Sequence, residues 1–205
     1  MHTKSLKNAR VALRRISKRA NGLIRTSEAV EAGVQSRTLG ELVDAGVLQK
    51  LSRGLYRLSE LPPVTDPDLV MIALRIPNGV ITLVSALVFH ELTLEVPRQI
   101  QLAIKAGSEK PRLDYPPIKL FWFSDKAYSE GIEIHKIDGV SVRVYSVEKS
   151  IADCFKFRNK IGVNIAAQAI KAWAPKNRRN WDRLLYYAKI CRVEQIVKQY
   201  LEALA

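Results

Sequence analysis

The stretch GVQSRTLGELVDAGVLQKLSRGLYRL, residues 33–58, decides how the N-terminal part of the chain folds. Gly33 can adopt the positive φ that a tight turn needs. Ser36 offers an N-cap oxygen for a short helix over RTLGELVDA, and Gly46 is expected to end that helix. The segment therefore predicts a turn followed by a capped and terminated helix.

A second short helix is predicted immediately upstream, over TSEAVEA, with Thr26 as its N-cap and Glu28 near its positive end. Two short helices joined by a glycine-containing turn are the signature of a helix-turn-helix. Downstream, VLQKLSRGLYRL has apolar residues on both sides of Ser52-Arg53-Gly54, which predicts a hairpin. A hairpin in this position is typical of the wing of a winged helix-turn-helix.

The residues on either side complete a small domain. An amphipathic helix is predicted over residues 4–20, and residues 23–24 predict a short strand. The Pro-bearing segment 61–67 is expected to be a linker. We therefore expect a winged helix-turn-helix domain at residues 1–60 and a second domain at residues 61–205. The apolar face of the first helix comprises Leu6, Ala9, Leu13, Ile16 and Ala20.

Beyond the linker, the sequence predicts a mixed domain. Helices are expected at 68–75 and over VITLVSALVFHEL at 80–92, the latter apolar nearly all round and therefore buried. Ser146 is expected to cap a helix over VEKSIADCFKFRNKI. The pattern predicts an α+β fold in which the larger second domain has a small, mainly antiparallel sheet and a helical C-terminal end. Strands are predicted over RQIQLAIKA, IKLFWF, IEIHKI and VSVRVYS, with a hairpin at Asp138-Gly139, and further helices at 163–173, 178–190 and 193–204.

The composition points to an anionic partner. The chain carries 33 Lys and Arg against 20 Asp and Glu, a formal net charge of +13. A chain this basic usually binds a polyanion, whether DNA, RNA or an anionic membrane surface. Residues 1–60 contain 12 Lys and Arg against 5 Asp and Glu, so much of the excess lies around the predicted winged helix.

The sequence also bears on the cellular compartment. No apolar run approaches the roughly 20 residues that span a bilayer, and the basic N-terminus lacks the apolar centre of a signal peptide, so we expect a cytoplasmic protein with no membrane partner. Cys154 and Cys191 have neither CxxC spacing nor nearby paired histidines, which argues against zinc and against a disulfide framework. Each cysteine is expected to be a small buried residue. The tryptophans Trp122, Trp173 and Trp181 are expected in the core.

The second helix of the motif would present its N-terminal end to the major groove. Gln and Arg side chains can read base edges through paired hydrogen bonds, and Ser and Thr can hold a base or a phosphate. Basic residues of the wing and of the first helix would contact phosphates or reach a minor groove. The expected DNA contacts are Gln35, Ser36, Arg37 and Thr38 in the helix, Lys50, Arg53 and Arg57 in the wing, and Arg14 and Arg15 in the first helix.

A second basic face is expected in the C-terminal part, for more DNA or for an acidic protein partner. An alternative interpretation is that these residues are helix-end cations that complement the macrodipole and keep the surface soluble. The residues are Lys156, Arg158, Lys160, Arg178 and Arg179.

No set of residues has the spacing of an active site or a cofactor site, and no GxxxxGK[ST], GxGxxG, GxSxG or HExxH motif is present. Glu133 and Lys136 are residue types of a metal-dependent nuclease strand, but at this spacing their side chains would point to opposite faces. His90 and His135 are not expected to bind metal. We therefore predict a protein that is not an enzyme and has no catalytic residues, cofactor or metal. The alternatives are a nuclease delivered by a winged helix and a winged-helix module that binds protein.

The chain resembles the AbiEi-type antitoxins of type IV toxin–antitoxin systems over nearly its full length. In the N-terminal part the resemblance lies in GLIRTSEAVEAGVQSRTLGELVDAGVLQKLSRGLYRL, a helix-turn-helix followed by a wing that ends in GLYRL. In the C-terminal part it lies in PNGVITLVSALVFHELT and VYSVEKSIADCFKFRNKIG. The C-terminal stretches are the more specific, because winged helices are common.

The resemblance implies a two-domain transcriptional repressor that takes part in phage defence. Its winged helix would bind inverted repeats in its own promoter. Its C-terminal domain would assist DNA binding and oppose a toxin resembling AbiEii, a nucleotidyltransferase-like enzyme, with which it need not form a stable complex. An inverted repeat implies two copies of the chain on the DNA, either as monomers that meet there or as a weak dimer.

Overall fold

The computed structural model describes residues 2–19, 22–62, 64–175 and 180–203. The chain forms two units. The N-terminal unit comprises Met1–Leu74 with Lys136–Ser141, and the C-terminal unit comprises Arg75–His135 with Val142–Ala205. Helices and strands occur in both units, so the predicted α+β class is confirmed.

The N-terminal unit has the element order of a winged helix-turn-helix. The elements are α1 (His2–Arg19), β1 (Leu23–Arg25), α2 (Thr26–Glu31), α3 (Ser36–Asp44), β2 (Leu48–Ser52), β3 (Leu55–Leu58) and α4 (Pro67–Arg75). The strands form an antiparallel sheet in the order β1-β3-β2, in which β2 and β3 are the wing. The helix-turn-helix and the hairpin after it are therefore present as predicted.

Apolar side chains of the helices and strands form the core of this unit. Leu13 of α1 and Leu39 of α3 are fully buried in one cluster, and Leu6 and Ile16 pack against it. The predicted apolar face of α1 thus packs on the helix-turn-helix and its sheet, while Ala20 lies outside the described residues. This packing holds α3 by the face that carries its leucines.

Both short helices begin with a different cap from the one predicted. Thr26 and Ser36 are the first helical residues, and the N-caps are Arg25 and Gln35, whose backbones are extended. Arg25 is also the last residue of β1, so the chain passes from strand to helix without a loop and the Thr26 hydroxyl comes one residue too late to cap. Glu28 compensates from inside the helix, because its carboxylate accepts a hydrogen bond from the Arg25 backbone N–H (3.0 Å).

The C-terminal unit is built on a five-stranded sheet with the order β6-β5-β4-β8-β7. The strands are β4 (Val80–Ile81), β5 (Ile100–Lys105), β6 (Ile118–Phe123), β7 (Ile132–Ile137) and β8 (Val140–Tyr145). The helices are α5 (Leu83–Phe89), α6 (Asp125–Ser129), α7 (Val147–Lys156), α8 (Arg158–Ile161), α9 (Val163–Trp173), α10 (Trp181–Ile190) and α11 (Glu194–Glu202). The four predicted strands and the helical C-terminal end are confirmed, and Ser146 caps α7 as expected.

Two features of this sheet differ from the prediction. Val80–Ile81 is the central strand instead of the start of a helix, because a short run buried on both faces has no periodicity that separates strand from helix. The sheet is also mixed, since β4 pairs in parallel with β8 and β5 with β6. Residues 106–117 connect β5 to β6, and this connection is long enough to return the chain to the same end of the sheet.

The tryptophans divide between core and surface. Trp173 is buried and Trp181 packs against the core, as expected. Trp122 is 50% exposed, contrary to the expectation. Strand alternation explains the difference, because Phe121 and Phe123 on the same strand point into the core and Trp122 between them points away.

An ion pair that was not predicted from the sequence is buried in this core. Lys149 and Asp153 stand one helical turn apart in α7, both with fully buried side chains, and Lys149 Nζ lies 2.6 Å from each carboxylate oxygen. The same ammonium lies 4.2 Å from the centroid of the Tyr145 ring and 4.9 Å from that of Phe123. Desolvation raises the pKa of Asp153, and the Lys149 ammonium opposes that shift.

The predicted burial of both cysteines is confirmed, and one of them extends this pair. Cys154 and Cys191 are free thiols in the core. The Cys191 thiol donates a hydrogen bond to Asp153 Oδ1 (3.1 Å). Burial raises the pKa of both thiols, so both are protonated and unreactive.

Removing one member of the pair should destabilise the protein strongly. Asp153→Ala leaves the Lys149 ammonium buried without its counter-ion, and we expect a loss of about 3–5 kcal/mol in the free energy of unfolding. The double variant Lys149→Met with Asp153→Leu fills similar volume without charge and should be close to the parent protein. Urea unfolding at neutral pH measures both. A double variant as unstable as the single one would mean that the charges themselves are needed.

Candidate nucleic-acid interface

The first turn of α3 lies at the surface of the helix-turn-helix. Leu39 and Leu42 hold α3 in the core, so the residues at its start face away from the core. Gln35, Ser36 and Arg37 are exposed there, and Thr38 is half-buried. The four consecutive residues that the sequence predicts as DNA contacts of this helix therefore lie at or near the surface.

Among the described residues, Arg37 makes one ion pair, and this pair lies at the surface. Its Nε lies 3.2 Å from Glu41 Oε1 one turn along α3, and its side chain is 87% exposed. An exposed pair of this kind contributes little to stability. The guanidinium can therefore exchange Glu41 for a base edge or a phosphate at small cost.

A polar cavity of about 310 Å³ lies beside this turn. Gln35 and Thr38 line it on the side of α3, and Asn8 lines it on the side of α1. Gln35 and Thr38 therefore border an open space between α3 and α1. This arrangement leaves them free to reorient toward a ligand.

Two of the three basic residues predicted in the wing are exposed, and the third is buried. Lys50 on β2 and Arg53 in the turn are exposed. Arg57 is only 7% exposed, and its Nε and Nη1 have no hydrogen-bond partner among the described residues. Arg57 lies on β3, the central strand, between Leu23 and Gln49 on the two neighbouring strands. It is therefore placed in the interior of the unit and not at the surface that a DNA contact requires.

The two basic residues predicted in α1 also differ. The Arg14 guanidinium makes two hydrogen bonds to the Glu60 carboxylate, at 3.2 and 2.8 Å, and holds the pKa of Glu60 below its usual range. This pair joins α1 to the residues that follow the wing. No local pattern could have indicated it, because the partners are 46 positions apart. Arg15 is exposed.

The residues of the predicted second basic face also have different surroundings. Arg158 donates a hydrogen bond to the Phe155 carbonyl (2.9 Å) at the end of α7, which is the helix-end role of the alternative interpretation. The ammonium groups of Lys156 and Lys160 lie 5.7 and 5.8 Å from the centroid of the Phe157 ring. Arg178 and Arg179 lie outside the described residues.

The residues considered for metal chemistry have other partners. The Glu133 carboxylate lies 3.6 Å from the Arg183 guanidinium and 3.5 Å from His135 Nε2. His90 Nε2 is 2.7 Å from the Tyr145 carbonyl oxygen, and desolvation lowers the pKa of His90. Within the part of the chain that the structure describes, no group of three or more His, Cys, Asp or Glu is placed to hold a metal ion.

None of the helices in the described ranges combines the length and the apolar character needed to cross a membrane. The helix with the longest span, α1, carries Arg10, Arg14 and Arg15 along its length.

A similar fold occurs in a solved structure. The crystal structure of the RV2827C protein from Mycobacterium tuberculosis superposes with a TM-score of 0.57, over 96% of this chain and 81% of that chain, at 11% sequence identity. At this identity the likeness concerns the fold alone. No curated protein sequence matches the chain.

A family model supplies the sequence-level comparison. The model AbiEi_4, described as "Transcriptional regulator, AbiEi antitoxin", matches residues 11–59. The matched segment runs from α1 to the end of the wing, and so includes the exposed first turn of α3. The resemblance to AbiEi-type antitoxins and transcriptional regulators is thereby confirmed over residues 11–59, whereas the resemblance of the C-terminal stretches stays a prediction.

Proposed function

We propose that the chain is an antitoxin of a type IV toxin–antitoxin system that binds inverted repeats in its own promoter, represses that promoter and counteracts a nucleotidyltransferase-like toxin. The observation that carries the DNA-binding part is the exposed first turn of α3, with Gln35 and Arg37, in a segment that matches a family of transcriptional regulators. The match to regulators and antitoxins supports this role over the alternatives of a nuclease and a protein-binding module.

The proposed binding mode follows from the exposure of the basic residues. The start of α3 enters the major groove, where Gln35 and Arg37 read base edges and Ser36 and Thr38 hold a base or a phosphate. Lys50 and Arg53 of the wing contact phosphates or the neighbouring minor groove. Arg15 of α1 adds a backbone contact, and Arg14 does so when it releases Glu60. Arg57 has no part in this set, because its side chain is buried.

One reading helix per chain sets the stoichiometry on DNA. An inverted repeat presents the same half-site twice, so two copies of the chain bind, as monomers that meet on the DNA or as a weak dimer.

We propose that residues 1–60 carry DNA recognition and residues 61–205 carry the action against the toxin, with Lys156 and Lys160 available for an acidic surface or for further DNA. The proposed setting is the cytoplasm.

The first experiment measures binding to the protein's own upstream duplex and to a scrambled duplex of equal length across a salt series. We expect tight binding to the upstream duplex only, with an affinity that falls steeply as salt rises, because phosphate contacts release counterions. Weak binding that is equal on both duplexes would contradict promoter recognition and favour the protein-binding module.

Lys50→Ala should weaken binding to both duplexes alike. The substitution removes one phosphate contact, so the slope of log affinity against log salt should decrease by about one. The matched control is Lys171→Ala, which removes an exposed lysine from α9 in the C-terminal unit. An equal loss in the control would assign the effect to net charge and not to the wing.

Arg37→Lys should instead relax base preference. Lysine keeps the positive charge but cannot make the bidentate pair that arginine makes with guanine. We expect discrimination at one base position to fall by about 1–3 kcal/mol with the salt slope unchanged. Binding to a set of single-base operator variants measures this. An unchanged preference at every position would remove Arg37 from the reading set.

A further inference from the structure

A second cavity, of about 400 Å³, lies within the C-terminal unit and shares only Lys156 with the second basic face described above. It is formed where the start of α6, the end of α7 and the end of α10 come together. Its lining residues are Ser124, Asp125, Lys126, Ala127, Lys156, Ile190, Cys191 and Arg192. We propose that this cavity binds a phosphate-bearing small molecule, with Lys126, Lys156 and Arg192 as the groups that hold its phosphate.

The charge of the lining supports an anionic ligand. Its three cationic side chains come from α6, from α7 and from the turn after α10, and among the described residues Asp125 is the one carboxylate that lines the cavity with them. The net charge of the lining is therefore positive. An anion in this cavity would have cationic hydrogen-bond donors on more than one side of it.

Lys156 is held in place before any ligand binds. It is half-buried, and its ammonium lies 5.5 Å from the centroid of the Phe123 ring and 5.7 Å from that of Phe157. These contacts orient a side chain that would otherwise sample many rotamers. A cation that is already oriented loses less conformational entropy when it binds an anion.

The backbone at Arg192 gives an independent indication. Arg192 follows α10 with a φ of +59°, and the next residue, Val193, donates its N–H to the Ala188 carbonyl (2.8 Å). This is the left-handed position at a helix end that favours glycine or asparagine. An arginine there costs conformational energy, and its side chain lines the cavity. Asp125, also in the lining, has a positive φ of +26°. Residues held in such conformations cluster at ligand sites.

The remaining lining groups fit the same ligand class. Ser124 is the N-cap of α6, but its side chain makes no cap hydrogen bond, so its hydroxyl can donate to an oxyanion. The Cys191 thiol already donates a hydrogen bond to the Asp153 carboxylate and is not available as a nucleophile. The volume lies near the lower end of the range of about 300–1,000 Å³ for small-molecule sites. A single phosphate ion would leave most of it empty, so a ligand of about mononucleotide size fits better.

The test is isothermal titration calorimetry of the full chain with inorganic pyrophosphate as the probe, at low ionic strength. We expect saturable binding to the parent protein. Lys156→Gln and Arg192→Asn should each weaken it at least about tenfold, the loss of one charge-assisted hydrogen bond. Asparagine is chosen at position 192 because it tolerates the left-handed conformation. The matched control is Lys160→Gln, which removes a nearby charge that does not line the cavity and should change little.

A further variant is expected to bind pyrophosphate more tightly, and this result cannot arise from misfolding. Asp125→Asn removes the opposing carboxylate and should tighten pyrophosphate binding several-fold, which a disrupted fold cannot do. Absence of pyrophosphate binding to the parent, or an equal loss in Lys160→Gln, would overturn the proposal. So would a result in which duplex DNA displaces pyrophosphate and the two lining variants weaken duplex binding equally, because the cavity would then be a contact for the DNA backbone.

Discussion

The constraint that shapes the core of the C-terminal unit is that the buried charges of Lys149 and Asp153 must neutralise each other. Helix α7 is buried along nearly its whole length, and Lys149 and Asp153 are its two fully buried charged residues, so their charges must neutralise each other. The one-turn spacing allows this within α7 itself. The pair then organises its surroundings: Tyr145 and Phe123 place their rings against the ammonium, and Cys191 brings the end of α10 to the carboxylate. Even Gly131 is constrained, since a Cβ there would lie 2.8 Å from the Cβ of Lys149.

The N-terminal unit follows a simpler rule, in which apolar packing sets what is exposed. Leu39 and Leu42 hold one face of α3 against α1 and the sheet, and the start of the helix is exposed as a consequence. The surface proposed to contact DNA therefore consists of the α3 residues that do not pack into the core. The same rule applies to the wing. Its strand β3 lies between β1 and β2, whereas the turn at Arg53 is exposed. A basic residue in the wing is available to DNA only where the sheet leaves it uncovered.

The elements that could be predicted were those with a strong local pattern. The three-and-four spacing of α1, the hairpin around Arg53-Gly54 and the Ser146 cap all involve residues close in sequence, and all were found. The errors arose where local pattern is ambiguous. Val80–Ile81 is apolar in any conformation, and its role as a central strand depends on β5 and β8. The exposed positions at the start of α3 were predictable from the motif, whereas the burial of Arg57 was not.

The sequence by itself determined that this is a basic α+β protein whose N-terminal part is a winged helix-turn-helix, because helix periodicity, capping and turn chemistry act over a few residues. Tertiary structure alone decided which cations are exposed, which are paired and which converge. Arg14 meets Glu60, Arg57 enters the interior, and Lys126, Lys156 and Arg192 surround one cavity. Each outcome depends on neighbours that are distant in the chain, and the free energy of a charged side chain is set by those neighbours and by its access to water.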